Sequence, residues 1–204
     1  MSKRTSPRPR VSRVGACSWP GSDPLMRLYH DREWGKPERG DVKIFRAILL
    51  DTFQAGLSWQ IILHKRKNFA RAFDNFNYEK IAKYAPVKKA RLLKDSGIIR
   101  NRLKIAGTIE NAKAFIKVRN EFGTFSKYIW SFIENRPITN KHKDSSNIAS
   151  STELSDKISK NLKSRGFKFC GTTVTYAFMQ GIGMVNDHVQ TCFRYQELRR
   201  FGKS

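Results

Sequence analysis

Acidic residues are scarce in this chain: 17 Asp and Glu stand against 40 Lys and Arg in 204 residues, a formal net charge of +23. That imbalance argues against a small acidic metabolite as the main ligand and for nucleic acid. Long apolar runs are also missing, and none approaches the length that spans a bilayer. No long basic amphipathic helix is present, so an anionic membrane surface fits poorly. Cysteine is rare. Cys17, Cys170 and Cys192 do not make a disulfide framework, which leaves metal binding or burial. The amino terminus carries Lys3, Arg4, Arg8, Arg10 and Arg13 without an apolar centre and does not read as a secretory signal. Residues 1–14 read as a flexible basic arm, and the expected setting is a reducing, cytoplasmic one, nucleoid-associated in a bacterium. Strand-like alternation and internal repeats are nearly or wholly absent.

What is present is helical periodicity. Apolar content of 39 % and aromatic content of 12 % suffice for a real core. Asp23-Pro24 caps a helix through Leu25, Leu28, Tyr29 and Trp34 that stops at Gly35. Asp41 caps the next, ending at Gly56, and Ser58 caps a third reaching about Phe73. Shorter helices follow at Tyr78–Tyr84 and from Pro86, then a long one through Leu103 to Phe115, with another at Phe125–Ile133. The stretch from Pro137 to Ser151 reads as a polar surface loop. Thr152 starts a helix ending at Gly166, and Thr172 or Thr173 caps a last strong one through Met179. The expected class is all-α.

Two joints in this pattern carry functional interest. At Asp51-Thr52-Phe53-Gln54-Ala55-Gly56-Leu57-Ser58-Trp59 one helix closes on glycine and another opens on serine. The corner gathers a carboxylate, an amide, an aliphatic tip and an indole. It reads either as a wedge for a base stack or as a plain helix corner whose Leu57 and Trp59 face the core. At Asp95-Ser96-Gly97-Ile98-Ile99-Arg100-Asn101-Arg102 a short glycine turn joins two helices. It can present backbone N–H groups to a phosphate, and it resembles a helix–hairpin–helix unit with a looser glycine pattern. An ordinary helical hairpin is the alternative, and the charge of the chain favours DNA.

Cys17 and His30 near one end meet His188 and Cys192 near the other. Thiolate and imidazole suit a closed, structural zinc site, and the four-residue spacing of His188 and Cys192 would place both on one helix face. Spacing alone leaves metal binding and simple burial both open. His64 and His142 read as solvent-facing, and Cys170 as a small buried hydrophobe.

Taken together, Cys17-Ser18-Trp19, Asp23-Pro24-Leu25, Tyr29-His30-Asp31, Glu33-Trp34-Gly35, Gln54-Ala55-Gly56-Leu57-Ser58-Trp59, Gly97-Ile98-Ile99-Arg100, Arg165-Gly166-Phe167-Lys168-Phe169, Gly171-Thr172-Thr173 and Val185-Asn186-Asp187-His188 resemble the DNA-3-methyladenine glycosylase I (Tag) family. The resemblance runs from about Ala16 to Cys192. It implies a helix–hairpin–helix glycosylase bundle (15–204), with a helical lobe at 36–150 and a terminal zinc-binding lobe at 15–35 plus 151–204. It implies structural zinc on Cys17, His30, His188 and Cys192. It further implies a base pocket of Trp19, Tyr29, Trp59 and Gln54, a catalytic Asp51, and a DNA wedge at Gly56 and Leu57. Phosphate contacts fall to Gly97, Ile99, Arg100 and Arg102. The chain departs from the family in carrying Asp51 where Glu is usual, and Met26 where an aromatic is expected. The shorter Asp51 withdraws its oxygens by roughly 1.5 Å, one C–C bond.

The activity so implied is monofunctional excision of 3-methyladenine from double-stranded, alkylated DNA by base flipping, in a monomeric enzyme with no membrane partner. A non-catalytic DNA-binding relative with its pocket altered by Asp51, or a zinc-stabilised basic module for RNA or another partner, are the rival readings.

Overall fold

The computed structural model describes residues 17–202, so the basic arm at 1–14 lies outside the described residues. Helices dominate: α1 (Pro24–Arg32), α2 (Asp41–Gln54), α3 (Trp59–Ala72), α4 (Tyr78–Ile81), α5 (Pro86–Lys94), α6 (Arg102–Phe122), α7 (Phe125–Ser131), α8 (Glu153–Ser164), α9 (Thr172–Gly181) and α10 (Phe193–Arg199). One parallel pair, β1 (Ile138–Thr139) and β2 (Val185–Asn186), sets Ile138 opposite Val185. The all-α expectation holds.

The long helix α6 is the axle. Its Ile105, Ile109, Ala112, Phe115 and Val118 are all buried, at the three-and-four spacing that keeps side chains on one side. Phe115 stacks on Phe125 at 4.1 Å between centroids and meets Phe45 edge-on at 5.2 Å. Burying each such ring is worth about 1.5–3 kcal/mol. A smaller apolar cluster, Cys17, Met26, Tyr29, Trp34, Leu63, Val189 and Cys192, ties the start of the described chain to its end. Met26 is therefore a buried packing residue in this cluster.

Several local readings need correction. Helix α1 stops at Arg32 rather than continuing through Trp34. Asp41 does not cap α2, because Gly40 holds the cap position. Its carboxylate instead accepts from the backbone N–H groups of Phe125 (3.1 Å) and Ser126 (2.9 Å), capping α7 from a distance. Gly171, not a threonine, caps α9, and α10 lay beyond the reach of periodicity. The 137–151 segment is not merely a loop, since Ile138 and Thr139 pair with β2.

That pairing is fastened by Asp187, fully buried. It accepts from Tyr176 Oη (2.8 Å), Gln180 Nε2 (2.8 Å) and Asn140 Nδ2 (2.6 Å), with His142 Nε2 at 3.0 Å. His142 is thus a partner of a buried acid with a largely covered side chain, not a solvent-facing residue. His64 is half exposed, as expected, and bonds Asp23 at 2.7 Å. Cys170 is half-buried and donates to the Phe167 carbonyl at 3.5 Å. Among the described residues no helix is long and apolar enough to cross a membrane.

Candidate functional site

The corner between α2 and α3 forms where local signals put it. Gly56 takes φ +77°, the left-handed turn that ends α2, and Ser58 Oγ accepts from Ile61 N–H at 3.4 Å to open α3. Leu57 between them is 38 % exposed. It does not face the core, which removes the plain-corner reading for this residue. A buried lysine braces the corner. Lys104, in the first turn of α6, donates to the Phe53 carbonyl at 2.9 Å and the Ala55 carbonyl at 2.5 Å. These are carbonyls left over at a helix end, where a cation is favoured. Lys104→Met is expected to cost about 2 kcal/mol, a Tm drop of about 4–8 °C. Differential scanning calorimetry checks it; an unchanged Tm would mean the brace is idle.

Beside the corner lies a cavity of about 260 Å³ lined by Trp19, Tyr29, Trp34, Asp51, Gln54, Trp59, Ser145, Ile148, Ala177 and Gln180. That is close to the small end of ligand sites, roughly 300–1,000 Å³. The structure brings together all five pocket residues expected from the sequence. Tyr29 and Trp59 lie 5.1 Å apart between centroids, Trp19 and Tyr29 6.3 Å in edge-to-face contact. Trp34 stands 4.9 Å from Trp19 and completes the wall. The indole N–H groups of Trp19 and Trp59 are buried and meet no acceptor among the described residues. Buried donors are seldom left so, and they suit a cavity that receives a ligand with acceptors of its own.

Asp51 is buried and makes no hydrogen bond or ion pair to another described side chain. Burial pushes its carboxyl up to about 8, because an ion in this apolar setting lacks solvation. A second, more polar cavity of about 360 Å³ shares Tyr29, Asp51 and Trp59 with the first. Its wall includes Glu33, which accepts from Arg66 at 2.9 and 2.7 Å and lies 3.5 Å from Arg46. Asp51 therefore stands in the partition between an aromatic chamber and a charged one.

The hairpin turn before α6 sits on α3. Asn68 Nδ2 and Lys65 Nζ donate to the Gly97 carbonyl at 3.2 and 3.3 Å, and Asp95 Oδ1 accepts from Gly97 N–H at 2.8 Å. A side chain at Gly97 would collide with Asp95 and Asn68. Asn101 caps α6 through Lys104 N–H at 3.0 Å. Arg100 and Arg102 are exposed and Ile99 is half-buried. The backbone N–H groups of Ile99 and Arg100 bond no described residue, which leaves them for an outside acceptor such as a phosphate.

Cys17, His30, His188 and Cys192 are all buried, with one ligating atom from each lying within 4.8 Å of the others. The group could hold a metal ion. His188 and Cys192 do not share a helix face, since Cys192 is the cap of α10 and His188 precedes it in irregular chain after β2. A turn closed by Cys192 N–H on the Val189 carbonyl at 2.8 Å brings them together instead. The outer ring nitrogens are tied: His30 Nδ1 to Asp31 at 2.7 Å, and His188 Nε2 to the Trp34 carbonyl at 3.1 Å. Such outer bonds fix which nitrogen faces a metal. The contact with Cys192 pushes the Cys17 thiol up, and the contact with Cys17 pulls Cys192 down. A dication would favour both as thiolates.

An aromatic chamber with one buried acid, next to an exposed apolar corner and a helix–hairpin–helix turn, is the construction of a helix–hairpin–helix DNA glycosylase. Residues 19–195 match the methyladenine glycosylase family model, and the chain belongs to that family. It is 45 % identical to DNA-3-methyladenine glycosylase 1 of Escherichia coli (strain K12) over 179 residues, 88 % of this chain and 96 % of that protein. A crystal structure of 3-methyladenine DNA glycosylase I (TAG) superposes with a TM-score of 0.85 at 43 % identity, covering 87 % of this chain and 98 % of that one. The Staphylococcus aureus 3-methyladenine DNA glycosylase I, solved to explain 3-methyladenine recognition, gives 0.84 at 30 % identity, over 87 % and 94 % of the two chains.

Proposed function

We propose that this protein excises 3-methyladenine from alkylated double-stranded DNA, hydrolysing the N-glycosidic bond and leaving an abasic site. The observation that carries the reading is the aromatic chamber with Asp51 in its wall. A 3-methylated adenine still attached to deoxyribose is cationic, and it departs as a neutral base, so little general-acid help is needed. Trp19, Tyr29 and Trp59 stack on the flipped base. Asp51, reluctant to ionise alone, becomes a carboxylate beside that positive charge and accepts from the exocyclic amine. As the C1′–N bond breaks and the neutral base departs, water bonds to C1′ and gives up one proton to solvent. Leu57 fills the gap in the stack, while the turn at Gly97, Ile99, Arg100 and Arg102 holds the phosphates. No lysine is read as a Schiff-base nucleophile, so the strand stays intact.

We read the metal as structural zinc. Bonds of about 2.0–2.3 Å in a tetrahedron set neighbouring donors about 3.3–3.8 Å apart. Four of the six separations here are 3.1 Å (His30 to His188), 3.5 Å and 3.6 Å (Cys192 to His188 and His30) and 3.7 Å (Cys17 to His188), and all six lie within 4.8 Å. Zinc would tie the segment at 15–35 to that at 151–204, beside the helical lobe at 36–150, in a monomer.

Incubation with methylated duplex DNA, followed by mass spectrometry of released bases, tests the activity. Free 3-methyladenine is expected. Tight binding without release would favour a non-catalytic relative and overturn the reading.

A further inference from the structure

Between α8 and α9 the chain holds a conformation that costs energy. Phe169 has φ +56°, a left-handed backbone that is strained for a bulky residue. Another aromatic so placed, Phe76, is buried in the core, whereas Phe169 is 37 % exposed. Burial of the ring therefore offsets the strain at Phe169 only in part.

Its surroundings hold it there. Asn111, buried on α6, accepts from Lys168 N–H at 2.6 Å and donates to the Lys168 carbonyl at 3.1 Å. Ser159 and Thr175 donate to the Cys170 carbonyl at 2.6 and 3.2 Å. On α6 a side chain at Gly107 would come within 2.8 Å of the Phe169 ring, so glycine makes the room.

The position matters as much as the strain. Gly107 and Asn111 lie three and seven residues after Lys104, on the same side of α6. Lys104 braces the Leu57 corner, and Asn111 also reaches Thr52 Oγ1 at 3.4 Å on α2. Phe169 shares a small crevice with Asp51 and Thr52. The exposed ring thus stands within two helical turns of the wedge, next to the exposed, cationic Lys168.

We propose that Phe169 is a second DNA-facing aromatic, stacking on a nucleotide that loses its neighbour when the lesion is extruded. This rests on the base-flipping reading above. Aromatic rings stack on unpaired bases irrespective of sequence, and Lys168 beside the ring suits the phosphate backbone.

The test measures the Kd of Phe169→Gly, Phe169→Asn and Phe169→Tyr for a duplex carrying a stable abasic analogue, together with 3-methyladenine release by the wild type. Gly and Asn accept the left-handed backbone, so neither should unfold the segment, and a melting curve verifies this. Loss of the ring is expected to weaken binding about tenfold without changing its salt dependence, while Tyr binds like the wild type. Gly and Asn variants that bind as tightly as the wild type, or a Tyr variant as weak as Gly, overturn the inference. Absence of base release by the wild type would defeat the glycosylase reading instead, with the Kd series still deciding whether Phe169 touches DNA.

Discussion

Asp51→Asn is expected to lower kcat/KM on methylated duplex DNA by about a hundredfold or more, with little change in DNA affinity. Asn keeps the shape of the side chain but cannot become the anion that a cationic base induces. The pH profile separates charge from shape. The Asp51 carboxyl sits at about 8 in the free protein, and kcat/KM reports the free enzyme. The ionised form is the useful one, so wild-type kcat/KM should rise with pH to about 8 and level off, whereas the Asn variant should lack that limb. Stability must run the other way. The ordinary value is 3.8, so over the interval up to about 8 the unfolded chain is ionised while the folded one keeps its proton. The contribution is complete below the ordinary value and is lost as pH rises through about 8. Asp51→Asn should therefore melt at a higher temperature than the wild type, by a margin larger at pH 8.5 than at pH 5. Equal kcat/KM and parallel melting curves would remove Asp51 from the mechanism.

Removal of the proposed zinc is the other large effect. A metal held by Cys17, His30, His188 and Cys192 would close a loop from Cys17 to Cys192, and a clamp over so long a loop is worth about 5 kcal/mol in the chain-entropy picture. Chelation of the purified protein, or Cys17→Ser, should lower Tm by about 10–20 °C. The chamber should suffer as well, because Trp19 lies two residues from Cys17 and Tyr29 adjoins His30. Loss of bound zinc by elemental analysis, with a parallel fall in affinity for free 3-methyladenine, is the expected pair of results. Unchanged zinc content in Cys17→Ser would exclude that ligand.

How far the sequence carries depends on the range of the interactions involved. The corner at Gly56 and Ser58 was legible because a left-handed stop and a serine cap act within a few residues. The aromatic walls were legible through the family motifs, although Trp34, Ile148 and Gln180 were missed, since they reach the chamber by long-range packing. Asp41 misled because an acid just before an apolar run looks like that helix's own cap, while its partners lie on α7. His188 and Cys192 were paired correctly for the wrong reason: a turn joins them, and spacing cannot distinguish a turn from a helix. Lys104 had no local signal at all. In a chain with 40 basic residues only the structure singles out Lys104, whose ammonium is buried against two carbonyls. Phe169 was visible in a motif, but its exposure and backbone strain were not.

The central claim is that a cationic purine leaves the duplex for the chamber beside Gly56. A crystal structure of the protein with 3-methyladenine tests it most directly. The base should lie among Trp19, Tyr29 and Trp59, with its exocyclic amine directed to Asp51 either in direct contact or through one water. A base bound at another surface, or one in the chamber with that amine turned away from Asp51, would contradict the account.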